Sequence, residues 1–511
     1  MFPTVASVTL ARARDALAGA LAAGLGLGVS ELIAGLVLWA PSLVEGLGDL
    51  VIDNVPGPVK DWAISVFGTN DKLALLIGIT VVTLIIGGVA GVLARDRFSL
   101  AVAVFVGFGL LAAWAAAVEP VSLVAAFIPA AAAVVVGLGT LRMLYDVAVP
   151  SQTDDTRRRF ILAAGAVVGV AALSAGFGRV LIEKAKRAVS GREEVVLPTA
   201  AQPLPPVPEP ADLDVEGLTP IIVPNEDFYR IDTALSVPRV NLQEWTLGVT
   251  GLVDRPYTID FYDLLDMRMV ERDITLSCVS NQVGGGLVGN ARWLGVPLVE
   301  ILDRAGVQSQ ASQIVGRSDR FTVGFPVEAA YDGRDALVAV GMNGEPLPFE
   351  HGFPARLVVA GLYGYVSATK WLTEIELTTW DGFDAYWVPR GWAKEGPVKT
   401  QSRIDTPGPG ARVALGTVTV AGVAWAPSRG ISRVELQLGE GGDWVEAELS
   451  EPLSDNAWVQ WRVDWEPAEP GRHILTCRAT DGEGDLQTEE MVPPAPDGAS
   501  GWHRRSFQVE T

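Results

Sequence analysis

The stretch Thr275-Leu-Ser-Cys278-Val-Ser-Asn281-Gln-Val-Gly-Gly-Gly286 decides the fold of the central part of the chain. A short apolar strand ends at the cysteine, and a polar, glycine-rich loop follows at once. Because glycines let bare backbone approach a bulky anionic group, we expect the thiol of Cys278 to lie beside such a group. From the residues alone, a structural cysteine, a nucleophile and a metal ligand all stay open. Zinc is disfavoured because no second Cys or His stands at ligand spacing.

The sequence on either side of this motif predicts two soluble domains. From residue 213 to 397, short β-rich runs mix with short amphipathic helices such as Leu298–Ala305, a pattern typical of an α+β domain. From 398 to 511 the helical patterns stop, and short alternating strands such as Ile431–Leu438 lie between Gly, Pro and Asp turns. These strands predict an Ig-like β-sandwich, with Cys477 as an apolar filler of its core.

The N-terminal part differs in composition, with 12 basic and 13 acidic residues in 1–185 against 27 and 47 in the remainder. Its apolar runs predict a bundle of five membrane-spanning helices, at about 16–40, 73–94, 98–118, 121–141 and 160–178. With the N-terminus inside, the arginines of the short loops lie mainly on the inner side. The soluble domains are then expected outside the cytoplasm.

Two segments near the last predicted span carry further signals. Thr156–Ile161 resembles a twin-arginine export signal, although a plain positive-inside anchor fits the same residues. The proline-rich residues 186–212 predict an extended, semi-rigid linker that holds the soluble domains away from the bilayer.

Composition excludes several classes of protein. Among the 511 residues, 49% are hydrophobic and 19% charged, and the net charge is −21, so neither a disordered chain nor a nucleic-acid-binding protein is expected. Two cysteines exclude a disulfide-rich scaffold. All three histidines follow the predicted spans, so the bundle is expected to hold no bis-histidine haem. Glu31, inside the first span, leaves open a proton-relay or partner-binding role, but we favour an inward-facing structural carboxylate.

Four pieces of the soluble sequence, taken in order, resemble the sulfite oxidase family of molybdopterin enzymes. They are Thr275-Leu-Ser-Cys278-x-x-Asn281, Trp293-x-Gly295-Val-Pro297-Leu298, His351-Gly-Phe-Pro-Ala-Arg356-Leu-Val-Val and Gly364-Tyr-Val-Ser-Ala-Thr-Lys370-Trp371-Leu. Residues 398–511 resemble the dimerisation domain of that family. The resemblance therefore implies a homodimer formed through the C-terminal domain.

The resemblance also implies roles for individual residues. Cys278 matches the molybdenum ligand of the family, a thiolate that completes a coordination sphere of dithiolene sulfurs and oxo or water oxygens. His351 and Arg356 match positions that hold the phosphate of the pterin, a task that suits the planar guanidinium. Further cofactor contacts are implied for Phe228, Tyr229, Arg230, Ile231, Asp232, Asp319, Thr369 and Lys370, and the candidate cations for an anionic substrate are Arg230, Arg292 and Arg320.

The implied activity is oxygen-atom transfer on a small substrate, as in sulfite oxidases. With no haem motif in this chain, the electrons are expected to pass to or from a separate cytochrome or quinone-linked subunit. The segment Gln282-Val-Gly-Gly-Gly286 departs from sulfite-oxidising relatives, which carry basic residues there, so a methionine sulfoxide or other S- or N-oxide reductase stays open. A non-enzymatic receptor or adhesion module that uses the Ig-like domain is a further alternative.

Overall fold

The computed structural model describes residues 5–37, 40–56, 59, 63, 66–67, 71–117, 123–148, 154–233, 235, 237–238, 240–319 and 321–511. The chain divides into two compact units. The first contains residues 1–190 together with 234–239, and the second contains 191–233 and 240–511.

The first unit is built from apolar helices. Those described are α1 (Val5–Leu36), α2 (Leu43–Asn54), α3 (Asp71–Ala94), α4 (Phe98–Ala117), α5 (Leu123–Ala148) and α6 (Asp154–Ser190). All except α2 are long and apolar enough to cross a membrane, which confirms the five predicted helices. The predicted span positions 38–39, 118 and 121–122 lie outside the described residues. The sequence analysis missed α2, because its acidic residues interrupt the apolar pattern.

Small residues bring α1 close to its neighbours α3, α5 and α6. A Cβ atom added to Gly19 of α1 would lie 2.7 Å from Cα of Gly91 on α3, and one added to Gly26 would lie 2.5 Å from the carbonyl oxygen of Ala133 on α5. Helix packing without side chains in between gives close van der Waals contact, which is the main attraction between helices in an apolar solvent.

The α+β part of the second unit contains two sheets. One sheet has the order β2-β1-β10-β5-β6, and the other has the order β3-β4-β7-β8 with β9 paired to β7. The strands are β1 (Thr246–Gly251), β2 (Tyr257–Asp260), β3 (Val270–Ser277), β4 (Val288–Pro297), β5 (Gln313–Arg317), β6 (Thr322–Pro326), β7 (Ala336–Met342), β8 (Glu345–Pro346), β9 (Arg356–Val359) and β10 (Glu374–Thr378). The short helices are α7 (Phe261–Leu265), α8 (Leu298–Ala305) and α9 (Gly364–Ser367).

Helix α8 has the bounds that the sequence predicts. Leu298, Ile301, Leu302 and Ala305 recur at helical spacing and are all fully buried, so one face of the helix packs into the core. Gly306 ends the helix in the left-handed region, with φ of 72°.

The C-terminal part is a two-sheet β domain. One sheet has the order β11-β13-β17-β16 and the other β12-β19-β18-β14-β15. The strands are β11 (Gln401–Thr406), β12 (Arg412–Ala414), β13 (Val418–Trp425), β14 (Ile431–Leu438), β15 (Trp444–Glu446), β16 (Glu448–Leu449), β17 (Val459–Trp465), β18 (Gly471–Asp481) and β19 (His503–Glu510). One apolar core contains side chains of both sheets, with Trp461 from one and Cys477 from the other. The predicted strand Ile431–Leu438 is confirmed.

The β domain and the α+β part share buried residues. Trp425 and Trp458 of the β domain belong to the core of the α+β part. The backbone N–H of Thr275 donates to the carbonyl of Asn456 (2.9 Å), and the backbone N–H of Trp458 donates to the hydroxyl of Thr275 (2.8 Å). The strand that leads to Cys278 is therefore held by the β domain.

The predicted linker 186–212 differs from the expected spacer, because residues 186–190 continue α6 and the remainder, extended between the 3₁₀ turns Arg192–Glu194 and Glu209–Ala211, packs on the second unit. Residues 191–212 belong to the second unit. The N–H of Ala201 donates to the carbonyl of Met269 (2.8 Å), the N–H of Leu204 donates to the carboxylate of Glu271 (2.7 Å), and Ala211 is fully buried. An extended chain has no internal hydrogen bonds, so its backbone groups are free to pair with a neighbouring surface.

Candidate active site

Cys278 comes directly after β3, as the sequence predicts, and the loop behind it is closed by hydrogen bonds. The N–H of Cys278 donates to the carbonyl of Leu287 (2.9 Å), and the N–H of Asn281 donates to the carbonyl of Cys278 (3.0 Å). The side-chain oxygen of Asn281 accepts from the N–H of Leu287 (2.8 Å). Asn281 therefore folds the glycine-rich loop back onto the strand end and fixes the position of the thiol.

The thiol of Cys278 is buried, with 8% of the residue exposed. Burial raises the pKa of Cys278, while hydrogen bonds with Ser280 and the charge of Lys370 act in the opposite direction. Burial also raises the pKa of Tyr229, and the neighbouring Cys278 adds to that rise. In the absence of a metal, the thiol is therefore protonated at neutral pH. A metal ion bound to the sulfur would remove that proton.

Arg356 is a buried guanidinium with few partners. It is 5% exposed, its Nη1 donates to the carbonyl of His351 (3.1 Å), and it lies 5.0 Å from the centre of the Trp293 ring. Within the described part of the chain, its Nε atom has no hydrogen-bond partner. Burial lowers the pKa of Arg356 to about 10, so the side chain still carries its charge at neutral pH. A buried cation with an unused donor is suited to binding an anion.

His351 lies on the other side of the same turn. Its Nε2 lies 2.9 Å from the carbonyl oxygen of Asn225, so Nε2 carries the proton and Nδ1 is a hydrogen-bond acceptor in the neutral ring. Burial, followed by the charge of Arg356, lowers the pKa of His351 to about 4. An anion bound between His351 and Arg356 would oppose both effects and favour the charged ring.

Thr369 and Lys370 lie against this turn. Gly352, with φ of 110°, brings the two segments together, since a Cβ atom there would lie 3.0 Å from Cα of Lys370 and 3.2 Å from Cβ of Arg356. The hydroxyl of Thr369 is buried and has no hydrogen-bond partner among the described residues. Burial lowers the pKa of Lys370 to about 8, and its Nζ donates to the carboxylate of Asp232 (2.8 Å).

The predicted stretch 228–232 joins the same cluster in part. The ring of Phe228 lies edge-on to that of His351, with 5.4 Å between ring centres. Asp232 accepts hydrogen bonds from Lys370 and from Nε of Arg230 (2.9 Å). Asp232 therefore holds two cations in place. Ile231 is 46% exposed and does not share in these contacts.

Of the three remaining predicted residues, Arg292 is paired with residues outside this cluster. The guanidinium of Arg292 forms two hydrogen bonds with Asp273 (2.9 and 2.8 Å) and one with the carbonyl of Pro205 (2.6 Å). Its charge is neutralised there, which is at odds with its predicted role as a cation for the substrate. Asp319 is exposed, and Arg320 lies outside the described residues.

Residues far along the chain, which no sequence motif indicates, also position the site. The ring of His503 lies against Gly284, where an added Cβ would be 2.2 Å from the ring, and Nη1 of Arg403 donates to the carbonyl of Gly285 (2.8 Å). Trp293, quoted only as part of a motif, lies under Arg356. No local pattern in the sequence predicts these contacts. His503 and Arg403 lie more than a hundred residues after their glycine partners, and Trp293 and Arg356 lie on different strands.

These residues fit a molybdenum cofactor bound through its phosphate and its metal. The orphaned donors Arg356 Nε and Thr369 Oγ1 are suited to an anion, and Cys278 supplies a thiolate. Among the described residues, no group of three or more His, Cys, Asp or Glu side chains could hold a metal ion. A metal at Cys278 would therefore take most of its ligands from a cofactor.

Comparisons with known proteins agree with this chemistry. Residues 234–387 match the family model of the oxidoreductase molybdopterin-binding domain, and residues 395–508 match that of the Mo-co oxidoreductase dimerisation domain. The chain is 29% identical over 353 residues to the mitochondrial sulfite oxidase of Mus musculus, covering 59% of this chain and 63% of that protein. It is 26% identical over 321 residues to nitrate reductase [NADH] 1 of Arabidopsis thaliana, covering 50% and 35%.

A solved structure was also found. The crystal structure of the sulfane dehydrogenase SoxCD from Paracoccus pantotrophus matches with a TM-score of 0.49 and 23% identity, covering 57% of this chain and 84% of that one.

The fold and the site define a molybdopterin-binding protein with an attached dimerisation domain. The chain belongs to the sulfite oxidase family of molybdenum-dependent oxidoreductases. It spans less than two thirds of the length of the two curated relatives named above.

Proposed function

We propose that the chain is a membrane-anchored, extracytoplasmic molybdopterin oxidoreductase that performs oxygen-atom transfer on a small substrate. The observation that carries the proposal is the cluster around Cys278. The cluster combines a buried thiol with the buried guanidinium of Arg356 and the buried hydroxyl of Thr369, and the last two each have an unused hydrogen-bond donor within the described chain. Tyr229 links them, because both Cys278 and Arg356 act on its pKa, and Lys370, next to Thr369, acts on the pKa of Cys278. Leaving such donors empty is unfavourable by about 1–3 kcal/mol each, so a ligand is expected to use them.

The residues of this chain bind and orient the cofactor. When bound, the molybdenum cofactor supplies two-electron oxygen-atom-transfer chemistry. Cys278 holds the metal as a thiolate, and Arg356 and Thr369 donate to the phosphate through Nε and Oγ1. His351 donates to the same anion from Nδ1 once it is protonated, because Nε2 already donates to Asn225. Lys370, fixed by Asp232, adds positive charge on the side of the thiol.

An anionic substrate would meet cations at the rim of this cluster. Arg230 is half-exposed and forms an ion pair with Asp232, which also binds Lys370. Arg230 can therefore turn towards a substrate while Asp232 keeps Lys370 as its partner. Arg320 remains a candidate from its sequence alone. Arg292 is not proposed, because Asp273 neutralises it.

Sulfite is the first substrate to test, because the mouse relative is named a sulfite oxidase. The neutral segment Gln282–Gly286 supports a second candidate, an S- or N-oxide reductase such as a methionine sulfoxide reductase. An uncharged loop attracts a sulfite dianion less strongly than the basic residues that sulfite-oxidising relatives carry at this segment. A neutral sulfoxide does not need that attraction.

The five long apolar helices support the membrane anchor. With the N-terminus inside, Arg95, Arg97, Arg142 and Arg157–Arg159 would lie on the inner side, and this arrangement supports a second unit outside the cytoplasm. The C-terminal domain, which we infer to be Ig-like, would pair two copies of the chain, and a separate redox protein would exchange the electrons.

The test compares the two cysteines. Purified wild-type protein from a host that makes molybdopterin should contain about one molybdenum per chain, because one thiolate binds one cofactor. Cys278→Ala should lose the metal, whereas Cys477→Ala, which empties a small space in the β domain, should keep it. Equal loss, or equal retention, in both variants would contradict the proposal.

Activity then distinguishes the two candidates. Sulfite-dependent reduction of ferricyanide would identify an oxidase. Oxidation of a reduced viologen dye with methionine sulfoxide or another S- or N-oxide would identify a reductase. Cys278→Ala should abolish whichever activity is present.

A further inference from the structure

The helical unit contains a cavity of about 420 Å³ between α1, α3 and α6. Its volume lies within the range of roughly 300–1,000 Å³ that is typical of small-molecule sites. The walls are mostly apolar, with Leu76, Ile77, Val81 and Leu84 from α3. Ile77 and Val81 are 56% and 47% exposed, so the cavity opens towards the lipid-facing surface of the helices.

Two charged residues, Glu31 of α1 and Arg179 of α6, line the same cavity. Glu31 lies five residues before the end of the apolar segment Ala11–Leu36, and Arg179 lies three residues before the end of Arg157–Ile182. The sequence predicts Glu31 inside a span and indicates no partner for it. In the structure, the two side chains meet near the C-terminal ends of these two apolar segments, with 3.3 Å between Arg179 Nε and Glu31 Oε2.

The carboxylate of Glu31 is not saturated by this ion pair. The hydroxyl of Ser42 donates to Oε1 (2.7 Å), but Oε2 accepts no hydrogen bond from the described residues, although Glu31 is only 3% exposed. The guanidinium of Arg179 is shared, because its Nη1 also donates to Glu45 (2.6 Å). A buried acceptor that faces a cavity and lacks a donor is expected to receive one from a bound molecule.

The charges decide which head group fits. Glu31 Oε2 needs a hydrogen-bond donor, whereas the phosphate diester of a phospholipid offers only acceptors and would be repelled by the carboxylate. A neutral head group with both a hydrogen-bond donor and an acceptor would satisfy Glu31 Oε2 and Arg179 together. The apolar walls suit a planar ring, and the open side suits a hydrocarbon tail.

We propose that this cavity binds the ring of a quinol, with a ring hydroxyl donating to Glu31 Oε2, a ring oxygen accepting from Arg179, and the tail leaving past Ile77 and Val81. The choice of a quinol over other neutral amphiphiles rests on the proposed function, because oxygen-atom transfer and quinol oxidation both exchange electrons in pairs. The binding itself does not depend on the molybdenum site.

The test uses the full chain in nanodiscs of phosphatidylcholine, titrated without oxygen with decylubiquinol, which carries the ring hydroxyls, and followed by isothermal calorimetry. Wild-type protein should bind the probe saturably, and Glu31→Gln and Arg179→Gln should weaken binding at least about tenfold, as expected for losing a charge-assisted hydrogen bond. Arg95→Gln is the matched control. It removes the ion pair with Asp15 (2.8 Å) in the same unit but does not line the cavity.

A second variant tests the site without changing its charge. Ala175→Leu adds bulk to the cavity wall and should also weaken binding, with the thermal stability of the helical unit kept as a check on folding. Saturable binding that is unchanged in all three cavity variants would overturn the proposal. So would no binding by wild type, or displacement of the probe by an anionic phospholipid. Molybdenum content, measured on the same samples, reports separately on the proposed function.

Discussion

The surroundings of Cys278 and Cys477 differ although both thiols are buried. Cys477 lies in the core of the β domain, where burial raises its pKa to about 12. The hydroxyl of Ser402 lies 3.3 Å from its sulfur and also donates to Gln487 (2.8 Å). Cys278 lies at a strand end, close enough to Tyr229 and Lys370 for their charges to interact, and Tyr229 in turn interacts with Arg356. Burial of a thiol is therefore not enough to indicate a binding site. The unused hydrogen-bond donors near Cys278 distinguish it from Cys477.

The largest expected effect comes from the unpaired cation. Arg356→Met should lower cofactor retention about 100-fold, the effect expected when one partner of a buried charged pair is lost. The cofactor-free variant should be as stable as the wild type or more stable, because a buried unpaired charge is unfavourable. Arg292→Met is the contrast. It leaves Asp273 buried without its cation and should lower the free energy of unfolding by about 3 kcal/mol.

Molybdenum content and urea denaturation of the cofactor-free protein measure both effects. A stability loss in Arg356→Met as large as that in Arg292→Met would show that Arg356 is structural, and would remove the anion site.

The two buried histidines give the next effect. Burial, the largest cause in each case, lowers the pKa of His351 and of His503 to about 4. Each ring therefore binds a proton more readily in the unfolded chain, with its ordinary pKa near 6.5. The stability that each neutral ring contributes is full above pH 6.5 and is lost as the pH falls towards 4, by about 3 kcal/mol per histidine.

Cofactor loading should separate these two histidines. A bound anion raises the pKa of His351 but leaves His503 unchanged, so the loaded protein should lose less stability in acid than the cofactor-free protein. His351→Gln should abolish that difference in denaturation midpoints between pH 4 and 6.5. A difference that persists in His351→Gln would place the bound anion elsewhere.

A pair of glycines tests how the β domain holds the loop after Cys278. Gly284 has φ of 74°, and an added Cβ would clash with the ring of His503, whereas Gly286 has no atom within 4 Å of an added Cβ. Gly284→Ala should lower the free energy of unfolding by about 2 kcal/mol and reduce molybdenum content. Gly286→Ala should change stability by no more than about 0.5 kcal/mol. Equal effects of the two substitutions on thermal unfolding would argue against the contact with His503.

The smallest effect compares two hydroxyls. Thr369→Val removes a hydroxyl without a partner and should leave the cofactor-free protein unchanged or slightly stabilised, while weakening cofactor binding about tenfold. Ser402→Ala removes a bonded hydroxyl and should lower stability by about 1 kcal/mol without affecting molybdenum content. Thermal unfolding with metal analysis checks both, and a destabilised Thr369→Val would mean that its hydroxyl has a structural partner.

Local patterns made much of the fold predictable. The apolar spacing in α8 and the alternation in β14 gave correct bounds, because each pattern is set by one buried face. Cys278, Asn281, His351 and Arg356 could be proposed from the sequence because each lies in a contiguous motif.

Long-range pairings could not be read from the sequence. The pairing of Arg292 with Asp273 depends on the register of β3 and β4, and that of Glu31 with Arg179 depends on the packing of α1 and α6. The packing of residues 191–212 onto the second unit could not be predicted for the same reason, because an extended chain has no sequence pattern that indicates which surface it contacts.

The account rests on a bond between the sulfur of Cys278 and molybdenum. X-ray absorption at the molybdenum edge, on wild-type protein and on Cys278→Ser loaded with cofactor, tests that bond directly. The account predicts that the variant loses one sulfur neighbour of the metal, which an oxygen or nitrogen replaces. An unchanged set of sulfur neighbours would contradict it.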